Sequence, residues 1–482
     1  MKFLKSHLLE KLPMKIDTSK LESELTRLGL EVDSIEKLKN KSDVLFDLDL
    51  TPNRGDCFSV LGIARELAAV SNKKIKKESN GLIASKLSPK SKVKISSKAA
   101  CPRYCFIEIY NLDNTKKLPS FIKERLEAGG INSINPVVDI LNYVMLDLGQ
   151  PMHAFDLNKI GKQINVRFAK SKEKIHLLDE SSKVLNDKCL VISDEKEPLA
   201  FAGIMGGIKS SVSATTNSVF IESAFFTPNI IRGKARNFNI QTDSSQRFER
   251  GVDYNIQSLA LVKATNLIKE YLSGTYSKIS TVEIKSNLPR QKLIDLDLNH
   301  LNKKLGFEIK LTKLKKYFEA LEFKIERNKK NSLKIKIPSH RFDIEIEEDL
   351  VEEIARLEGY DNIPSIDLKT SSSTFRSSNY TQTLNLKKYI ANQGFQEVIN
   401  YSFVNKKSLK ELGISEELIE LKNPLNENLE VMRTSLFPGL LKTLKSNLNR
   451  GENFMKIFEE GKVFKKTFSA REQNMLSGLI FD

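Results

Sequence analysis

Residues 341–364 have the sequence RFDIEIEEDLVEEIARLEGYDNIP, in which seven of the eleven positions from Asp343 to Glu353 are acidic. A helix over residues 347–357 would place Asp349, Glu352 and Glu353 on one face through i,i+3 and i,i+4 spacing. Carboxylate oxygens in that arrangement suit Mg²⁺. Acids near a helix N-terminus also complement the helix dipole and stay solvated. Spacing alone favours this second interpretation.

A related pattern lies near the N-terminus. In both halves of the chain, a helical apolar pattern precedes a strand, a proline, an Arg-x-Asp step and a helix containing Ile-Ala-Arg. The matched segments are 21–32 with 314–325, 54–56 with 341–343, and 63–65 with 354–356. This internal repeat predicts two related small domains of winged-helix type, unless the two amphipathic segments are similar by chance. In the first copy, Ser19-x-x-Glu22 has the capping-box pattern of a helix start, and Gly29 predicts the helix end.

Around these two segments the chain is predicted to form four domains, because 482 residues exceed what one hydrophobic core usually supports. We expect domains at 1–85, 86–288, 289–366 and 380–482. A lysine- and serine-rich linker is predicted over 72–100, and a serine-rich joint from Thr370 to Ser378 precedes the last domain. The segment 101–285 alternates strand and helix signals, and residues 290–364 are a lysine-rich α+β segment, so we expect an α+β multidomain chain.

The composition is that of an ordinary globular chain, with 40% hydrophobic and 29% charged residues. No apolar run reaches the roughly 18 residues that a membrane span needs, so we expect no membrane partner. The N-terminus does not have the pattern of a secretory signal. Four cysteines without a disulfide or metal pattern indicate the reducing cytoplasm. A net charge of +16 favours a polyanionic partner such as RNA, but lysine bias on a solvated surface explains it equally well.

Several motifs occur together in one order along the chain, and as an ordered set they are specific. The set resembles the family of bacterial-type phenylalanyl-tRNA synthetase β subunits. The motifs are TPNRGDC (51–57), CPRY (101–104), GQPMHAFD (149–156), GIMGG (203–207), ESAFF (222–226), TDSSQRFERGVD (242–253), residues 341–364 and MRTSLFPGLL (432–441).

The resemblance implies an architecture for each predicted domain. Residues 1–85 and 289–366 would be winged-helix-like, 86–288 would be a B3/B4-type editing domain, and 380–482 an incomplete class II synthetase-like domain with an antiparallel sheet. Bacterial members carry an OB-fold insert after the segment equivalent to 28–36, which is absent here. The family also continues past GLIFD to an RRM-like domain, so we expect a truncation. The final MLSGLIFD looks strand-like without an obvious partner strand.

For activity, the resemblance implies an (αβ)₂ heterotetramer with the phenylalanyl-tRNA synthetase α subunit, which would carry the ATP-dependent aminoacylation site. The β subunit would contact tRNA(Phe) and hydrolyse tyrosine that is misattached to it. The family's ligands for a Mg²⁺ ion shared with α fall on Asp343, Asp349, Glu352 and Glu353. The last domain has no complete ATP site, and we expect it to pack against α.

The resemblance also implies an editing pocket in the central domain. Its residues would be Asn142, His153, Gly206, Glu222, Thr242 and Ser244. A phenylalanine pocket rejects an added hydroxyl poorly, so a second site must bind that hydroxyl, and a carboxylate such as Glu222 would accept it. No Ser–His–Asp pattern is visible, so hydrolysis would use a positioned water. Leu141 stands where the family often has a pocket threonine, and Ser244 where many members have alanine.

Two other functions stay open. One is a free-standing aminoacyl-tRNA editing hydrolase built on the central domain. The other is a non-catalytic nucleic-acid-binding protein that uses the repeated small domains and the basic charge. Neither alternative needs a ligand set shared with an α subunit, so the acidic segment from Asp343 to Glu353 favours the synthetase subunit.

Overall fold

The computed structural model describes residues 1–38, 43–71, 73–78, 81, 85–329, 331–365, 378–414, 418–466 and 472–482. The chain divides into two compact units, Met1–Ile366 and Asp367–Asp482. This division falls beside the predicted boundary at 366, while the boundaries predicted inside the first unit stay predictions. The serine-rich joint lies outside the described residues except for Ser378, at which description resumes. Part of the linker predicted over 72–100 also lies outside them.

The first unit begins with a three-stranded sheet and three helices. Its elements are β1 (Lys2–Leu4), α1 (Lys5–Lys11), α2 (Thr18–Arg27), β2 (Glu31–Lys37), β3 (Val44–Asp49), a 3₁₀ turn (Gly55–Cys57) and α3 (Val60–Ser71). Asp17, and not Ser19, caps α2, since its side chain accepts a hydrogen bond from the Lys20 amide at 2.7 Å. Gly29 follows α2 with φ +84°, as predicted for the residue that ends this helix.

The central part of the first unit contains two larger sheets. Its first half comprises β4 (Lys92–Ile95), β5 (Arg103–Tyr110), α4 (Ser120–Ala128), α5 (Pro136–Leu148), β6 (His153–Asp156), β7 (Gln163–Phe168), β8 (Lys174–His176) and β9 (Ser182–Val184). Its second half comprises β10 (Leu190–Ser193), β11 (Pro198–Phe201), β12 (Met205–Gly206), β13 (Val219–Phe225), α6 (Pro228–Ile231), α7 (Lys234–Asn237), α8 (Asp243–Arg250), α9 (Gln257–Leu272), β14 (Thr275–Tyr276) and β15 (Ser280–Glu283).

The two central sheets share one hydrophobic core. One sheet has the order β12-β11-β10-β7-β4, and the other has the order β14-β5-β13-β6 with β15 also paired to β5. Strand β13 is buried along its whole length, as expected for a strand covered on both faces. Because β13 lies between β5 and β6, polar side chains on its covered face are held among aromatic residues of both neighbours.

The first unit ends with a second three-stranded sheet. Its elements are β16 (Leu293–Asp297), α10 (Leu298–Leu305), α11 (Leu311–Ala320), β17 (Lys324–Lys329), β18 (Ser332–Lys336), α12 (Glu347–Glu358) and a 3₁₀ turn (Tyr360–Asn362). The helix predicted over 347–357 is therefore present, and it ends one residue later, at Glu358.

The first and last parts of this unit repeat one topology. Both have the element order strand, helix, helix, strand, strand, helix, and their sheet orders β1-β3-β2 and β16-β18-β17 are equivalent. The register shifts at the same place in each copy, after Val32 and after Ile325. Apolar residues of both copies form one continuous core. The winged-helix description of each copy stays a prediction.

The second unit is smaller. Its elements are α13 (Ser378–Asn392), β19 (Gln396–Glu397), β20 (Phe403–Val404), α14 (Lys406–Glu411), β21 (Val431–Met432), α15 (Phe437–Leu448), β22 (Met455–Phe464) and β23 (Glu472–Phe481). The expectation that the final strand has no partner is wrong, because β23 pairs with β22 along its length, from Met455↔Phe481 to Phe464↔Glu472. The sheet is mixed and not purely antiparallel, since β19 runs parallel to β22.

Across the described residues, the structure contains no helix that is long and apolar enough to cross a membrane.

Candidate functional site

One face of the central β5–β13–β6 sheet carries polar groups in an aromatic setting. Glu222 on β13 lies directly opposite His153 on β6 and Phe106 on β5. Tyr104 lies opposite Ala224, two residues further along, so it is the diagonal neighbour of Glu222. Directly opposed residues in an antiparallel pair point to the same face. The sheet therefore places Tyr104, Glu222 and His153 together.

One polar side-chain atom of each of these three residues is buried without a hydrogen-bond partner among the described residues. Glu222 is 6% exposed. Its Oε2 atom, the His153 Nε2 atom and the Tyr104 hydroxyl oxygen are shielded from solvent and have no hydrogen-bond partner among the described residues. Buried polar groups are normally paired, because an unpaired one costs about 1–3 kcal/mol. Three such atoms on one sheet face indicate a site that a ligand or water completes.

Burial also sets the charge of the site. Desolvation raises the pKa of Glu222 to about 8, which the neighbouring Tyr104 hydroxyl partly offsets. Desolvation lowers the pKa of His153 to about 4. Both groups are therefore mostly neutral at pH 7. The expectation of an ionised carboxylate at Glu222 needs correction, since a neutral carboxyl accepts through one oxygen and donates through the other.

Gly206 covers this face from β12 of the other sheet. A Cβ atom placed on Gly206 would lie 2.3 Å from Cε1 and 2.5 Å from Nε2 of His153. Such distances are far inside van der Waals contact, so a side chain at this position would have to displace the imidazole. The backbone thus approaches His153 where only glycine leaves room.

Thr242 acts through the backbone. It is the N-cap of α8, where its side chain accepts from the Ser245 amide at 3.0 Å and donates to the Ile204 carbonyl at 2.8 Å. Ile204 lies two residues before Gly206, so Thr242 anchors the start of α8 to the turn that presents Gly206. The capping box uses Ser245 at its third position, where glutamate or glutamine is more usual.

The other predicted pocket positions are not joined to this group by a described contact. Asn142, on α5, and Ser244, on α8, are both half-buried. Leu141 is 2% exposed and packs in the main central core, so the structure gives it a packing role. The predicted pocket set as a whole stays a prediction, with His153, Gly206 and Glu222 adjacent and Thr242 tied to them.

The predicted magnesium ligands are mostly occupied by protein groups. Asp343 accepts from Arg341 at 2.9 and 2.8 Å. Glu353, only 2% exposed, accepts from the same guanidinium at 2.7 and 2.8 Å and also from Arg356. Asp349 accepts from the Glu345 and Ile346 amides at 2.6 and 2.9 Å. Glu352 is exposed and has no ion pair among the described residues.

In this arrangement the four carboxylates do not fit a common ion. Among the described residues, the group of acids and cysteines close enough to share a metal is Asp56, Cys57 and Glu66. That group already surrounds the Arg54 guanidinium. The acidic segment therefore serves internal ion pairs here, and the predicted ligand set stays a prediction.

These ion pairs repeat between the two copies of the topology. Arg54 pairs with carboxylates two and twelve residues ahead, Asp56 and Glu66. Arg341 does the same with Asp343 and Glu353. Arg356 joins the two sets, because it donates to both Glu353 and Glu66. Burial alone would raise the pKa of Glu353, but Arg341 and Arg356 hold it well below the ordinary value.

Comparison with known proteins matches three segments of the chain to described domains. Residues 100–273 match the B3/4 domain, residues 294–360 match the tRNA synthetase B5 domain, and residues 363–482 match the phenylalanyl tRNA synthetase beta chain CLM domain. Tyr104, His153, Gly206, Glu222 and Thr242 all lie within the first match. The acidic helix α12 lies within the second.

Among curated relatives, the phenylalanine–tRNA ligase beta subunit of Coxiella burnetii is 40% identical over 450 residues, which are 93% of this chain and 57% of that protein. The same subunit of Legionella pneumophila is 41% identical over 440 residues, or 91% of this chain and 56% of that protein. An N-terminal fragment of the phenylalanyl-tRNA synthetase beta subunit from Pyrococcus horikoshii covers 74% of this chain at 18% identity, with a TM-score of 0.41 over 99% of the fragment.

The chain thus spans a little over half the length of these curated relatives. The domain matches occur in the order that the sequence motifs predicted, and they extend over most of the chain. We conclude that this chain belongs to the family of phenylalanine–tRNA ligase β subunits.

Proposed function

We propose that the chain works as the β subunit of a phenylalanine–tRNA ligase and that its central domain hydrolyses tyrosine misattached to tRNA(Phe). The observation that supports editing most directly is the set of buried, unpartnered polar atoms on Tyr104, Glu222 and His153. A phenylalanine side chain would leave the Glu222 carboxyl without a hydrogen-bond partner from the substrate, whereas a tyrosine hydroxyl offers that carboxyl both a donor and an acceptor. Such a site favours a tyrosyl ester over a phenylalanyl ester, because binding of the phenylalanyl group would leave buried polar groups unpaired.

Each residue has a distinct part in this proposal. Glu222 binds the phenolic hydroxyl of the tyrosyl group. Gly206 lets the backbone of β12 pack directly against the His153 imidazole and so fixes the position of that ring. His153, whose imidazole burial keeps neutral near pH 7, orients the attacking water through Nε2. No hydroxyl or thiol among the described residues is hydrogen-bonded to His153, so the nucleophile is water and not a protein side chain.

The wider assembly is part of the same proposal. An α subunit would attach phenylalanine to tRNA(Phe) with ATP and Mg²⁺, in an (αβ)₂ heterotetramer placed in the cytoplasm. The four cysteines are all free and buried, which is compatible with that reducing compartment. The net charge of +16 supports contact with tRNA phosphates.

Co-expression of this chain with an α subunit tests the proposal. The purified complex should charge tRNA(Phe) with phenylalanine and release tyrosine from preformed Tyr-tRNA(Phe). Release by the chain alone would favour the free-standing hydrolase. Binding of tRNA without charging or release, in the presence of α, would favour the non-catalytic nucleic-acid-binding protein.

Removal of divalent cations gives a separate prediction. Treatment of this chain alone with EDTA should leave its thermal midpoint unchanged, because three of the four predicted ligands are held by arginines or backbone amides. A ligand stabilises a fold only in proportion to its binding to that fold. Thermal melts with and without Mg²⁺ are the measurement, with Glu352→Ala as a matched variant. A Mg²⁺-dependent rise that Glu352→Ala abolishes would show that the carboxylates rearrange around an ion.

A further inference from the structure

The Tyr104 hydroxyl is a buried group of the central site that sequence patterns did not single out. Its ring is fully buried on β5, and its hydroxyl oxygen has no hydrogen-bond partner among the described residues. It is the diagonal cross-strand neighbour of Glu222, a separation that long side chains can bridge. Burial first, and the Glu222 carboxyl second, raise the pKa of Tyr104 well above its usual value. Its phenol therefore stays protonated and can donate.

The same strand contains a tyrosine next to a glutamate that is already saturated. Glu108 accepts from the Lys90 amide at 2.7 Å, from the Ser91 amide at 2.8 Å and from the Tyr110 hydroxyl. The Oε2 atom of Glu222 receives no hydrogen bond from the described residues. We call the Tyr110–Glu108 pair closed, because protein groups already donate to its carboxylate. We call the Tyr104–Glu222 pair open, because Oε2 of Glu222 lacks such a donor.

We propose that Tyr104 is a positioning residue for the central site, whose hydroxyl faces the Glu222 carboxyl already in the free protein and donates to its Oε2 in the bound state, so that Oε1 turns toward the ligand's hydroxyl. This inference rests on the proposed editing function. Oε2 is the solvent-shielded oxygen of the carboxyl and needs a donor from within the protein. Tyr104 can supply one from the neighbouring strand. The ligand class is an aminoacyl ester whose aromatic ring carries a hydroxyl group.

The pairing has a consequence for protonation. A donor to a carboxyl stabilises its ionised form, and Tyr104 is the group that opposes the effect of burial on the pKa of Glu222. The other titratable neighbours are His153 on β6 and the Cys101 thiol, whose pKa burial and then Glu222 raise. Neither of these groups donates a hydrogen bond to Glu222 among the described contacts. Loss of the Tyr104 hydroxyl should therefore make Glu222 harder to ionise.

Tyr104→Phe tests the inference because it removes one oxygen and keeps the ring. In complex with α, this variant should lower the ratio of tyrosyl to phenylalanyl ester hydrolysis about fivefold, with the phenylalanyl rate unchanged. In the full chain alone, the titration midpoint of Glu222 should move upward, because the Tyr104 hydroxyl opposes the effect of burial there even without a ligand. Carbon-13 NMR of glutamate-labelled protein reports that midpoint, and Glu222→Gln assigns the signal.

Tyr110→Phe is the matched control, since it removes a hydroxyl from the closed pair on the same strand. It should change neither the ester ratio nor the Glu222 midpoint. Wild-type values of both quantities in Tyr104→Phe would overturn the inference, as would equal changes in the two variants. A moved midpoint in a protein whose wild type releases no tyrosine would support the pairing and contradict the proposed function.

Discussion

Replacement of Glu353 by alanine should destabilise the unit formed by residues 1–366 by about 3–5 kcal/mol, the usual cost of breaking a buried ion pair. Glu353 is 2% exposed and accepts two hydrogen bonds from Arg341 and two from Arg356. Without it, the Arg341 Nη1 and Arg356 Nε atoms lose the acceptors that these contacts provide. Both guanidinium groups are buried, so water cannot replace the carboxylate easily. Urea unfolding followed by far-UV circular dichroism measures the loss.

Glu348→Ala is the control for this prediction. Glu348 lies on the same helix but is exposed, and its ion pair among the described residues is a 3.9 Å contact with His300. Exposed pairs contribute roughly 0–1 kcal/mol, so this variant should unfold close to the wild-type urea concentration. Equal destabilisation by the two variants would mean that the buried arginine network does not hold the repeated topology together.

Replacement of Glu222 by alanine should reduce the preference of the αβ complex for tyrosyl over phenylalanyl esters. At pH 7 the Glu222 carboxyl is mostly neutral, because burial raises its pKa to about 8. A hydrogen bond between neutral groups contributes roughly 0.5–1.5 kcal/mol, which corresponds to a two- to tenfold loss of preference. Rates of amino-acid release from the two charged tRNAs give the ratio. His153→Ala should instead slow both reactions and leave the ratio unchanged.

The effect of Glu222→Ala should grow as the pH rises through about 8, where the wild-type carboxyl ionises. A hydrogen bond to a charged acceptor contributes roughly 1.5–3 kcal/mol, so the loss of preference becomes about ten- to hundredfold. Reactions at pH 7 and pH 9, corrected for spontaneous ester hydrolysis, provide the comparison. An equal loss of preference at pH 7 and pH 9 would mean that Glu222 does not ionise between these two pH values.

The free energy of unfolding should also depend on the ionisation of Glu222. The folded pKa of Glu222 lies above its unfolded value, so the native state holds a proton that the unfolded state has released. Stability should therefore fall as the pH rises from about 4.5 to about 8. Glu222→Gln, which carries no ionisable proton, should show a smaller fall over that interval.

The topological repeat could be predicted from sequence because it depends on local patterns. Apolar spacing in residues 21–32 and 314–325, together with the Arg-x-Asp steps, is a short-range signal that survives in the structure. The contact of Arg356 with Glu66 could not be predicted in this way, since 290 residues separate them. The acidic segment near α12 has local positive partners instead of a metal ion, since Arg341 lies just before it and Arg356 lies on α12.

Other differences have equally local causes. Asp17 and Ser19 are both good helix caps, and the sequence pattern does not decide between them. The partner of the final strand was missed because β22 has buried residues in succession and not in alternation. Tyr104 and the neutral state of Glu222 depend on burial between strands, which the motifs CPRY and ESAFF do not specify. His153, Gly206 and Glu222 were predicted because the family resemblance placed them.

The release of tyrosine from Tyr-tRNA(Phe) by the complex of this chain with an α subunit tests the central claim most directly. Phe-tRNA(Phe) is the reference substrate, and Glu222→Ala is the matched variant. We predict that the wild-type complex releases tyrosine faster than phenylalanine and that Glu222→Ala narrows the difference. Equal release of both amino acids by the wild type, or identical ratios for wild type and variant, would contradict an editing site at Glu222.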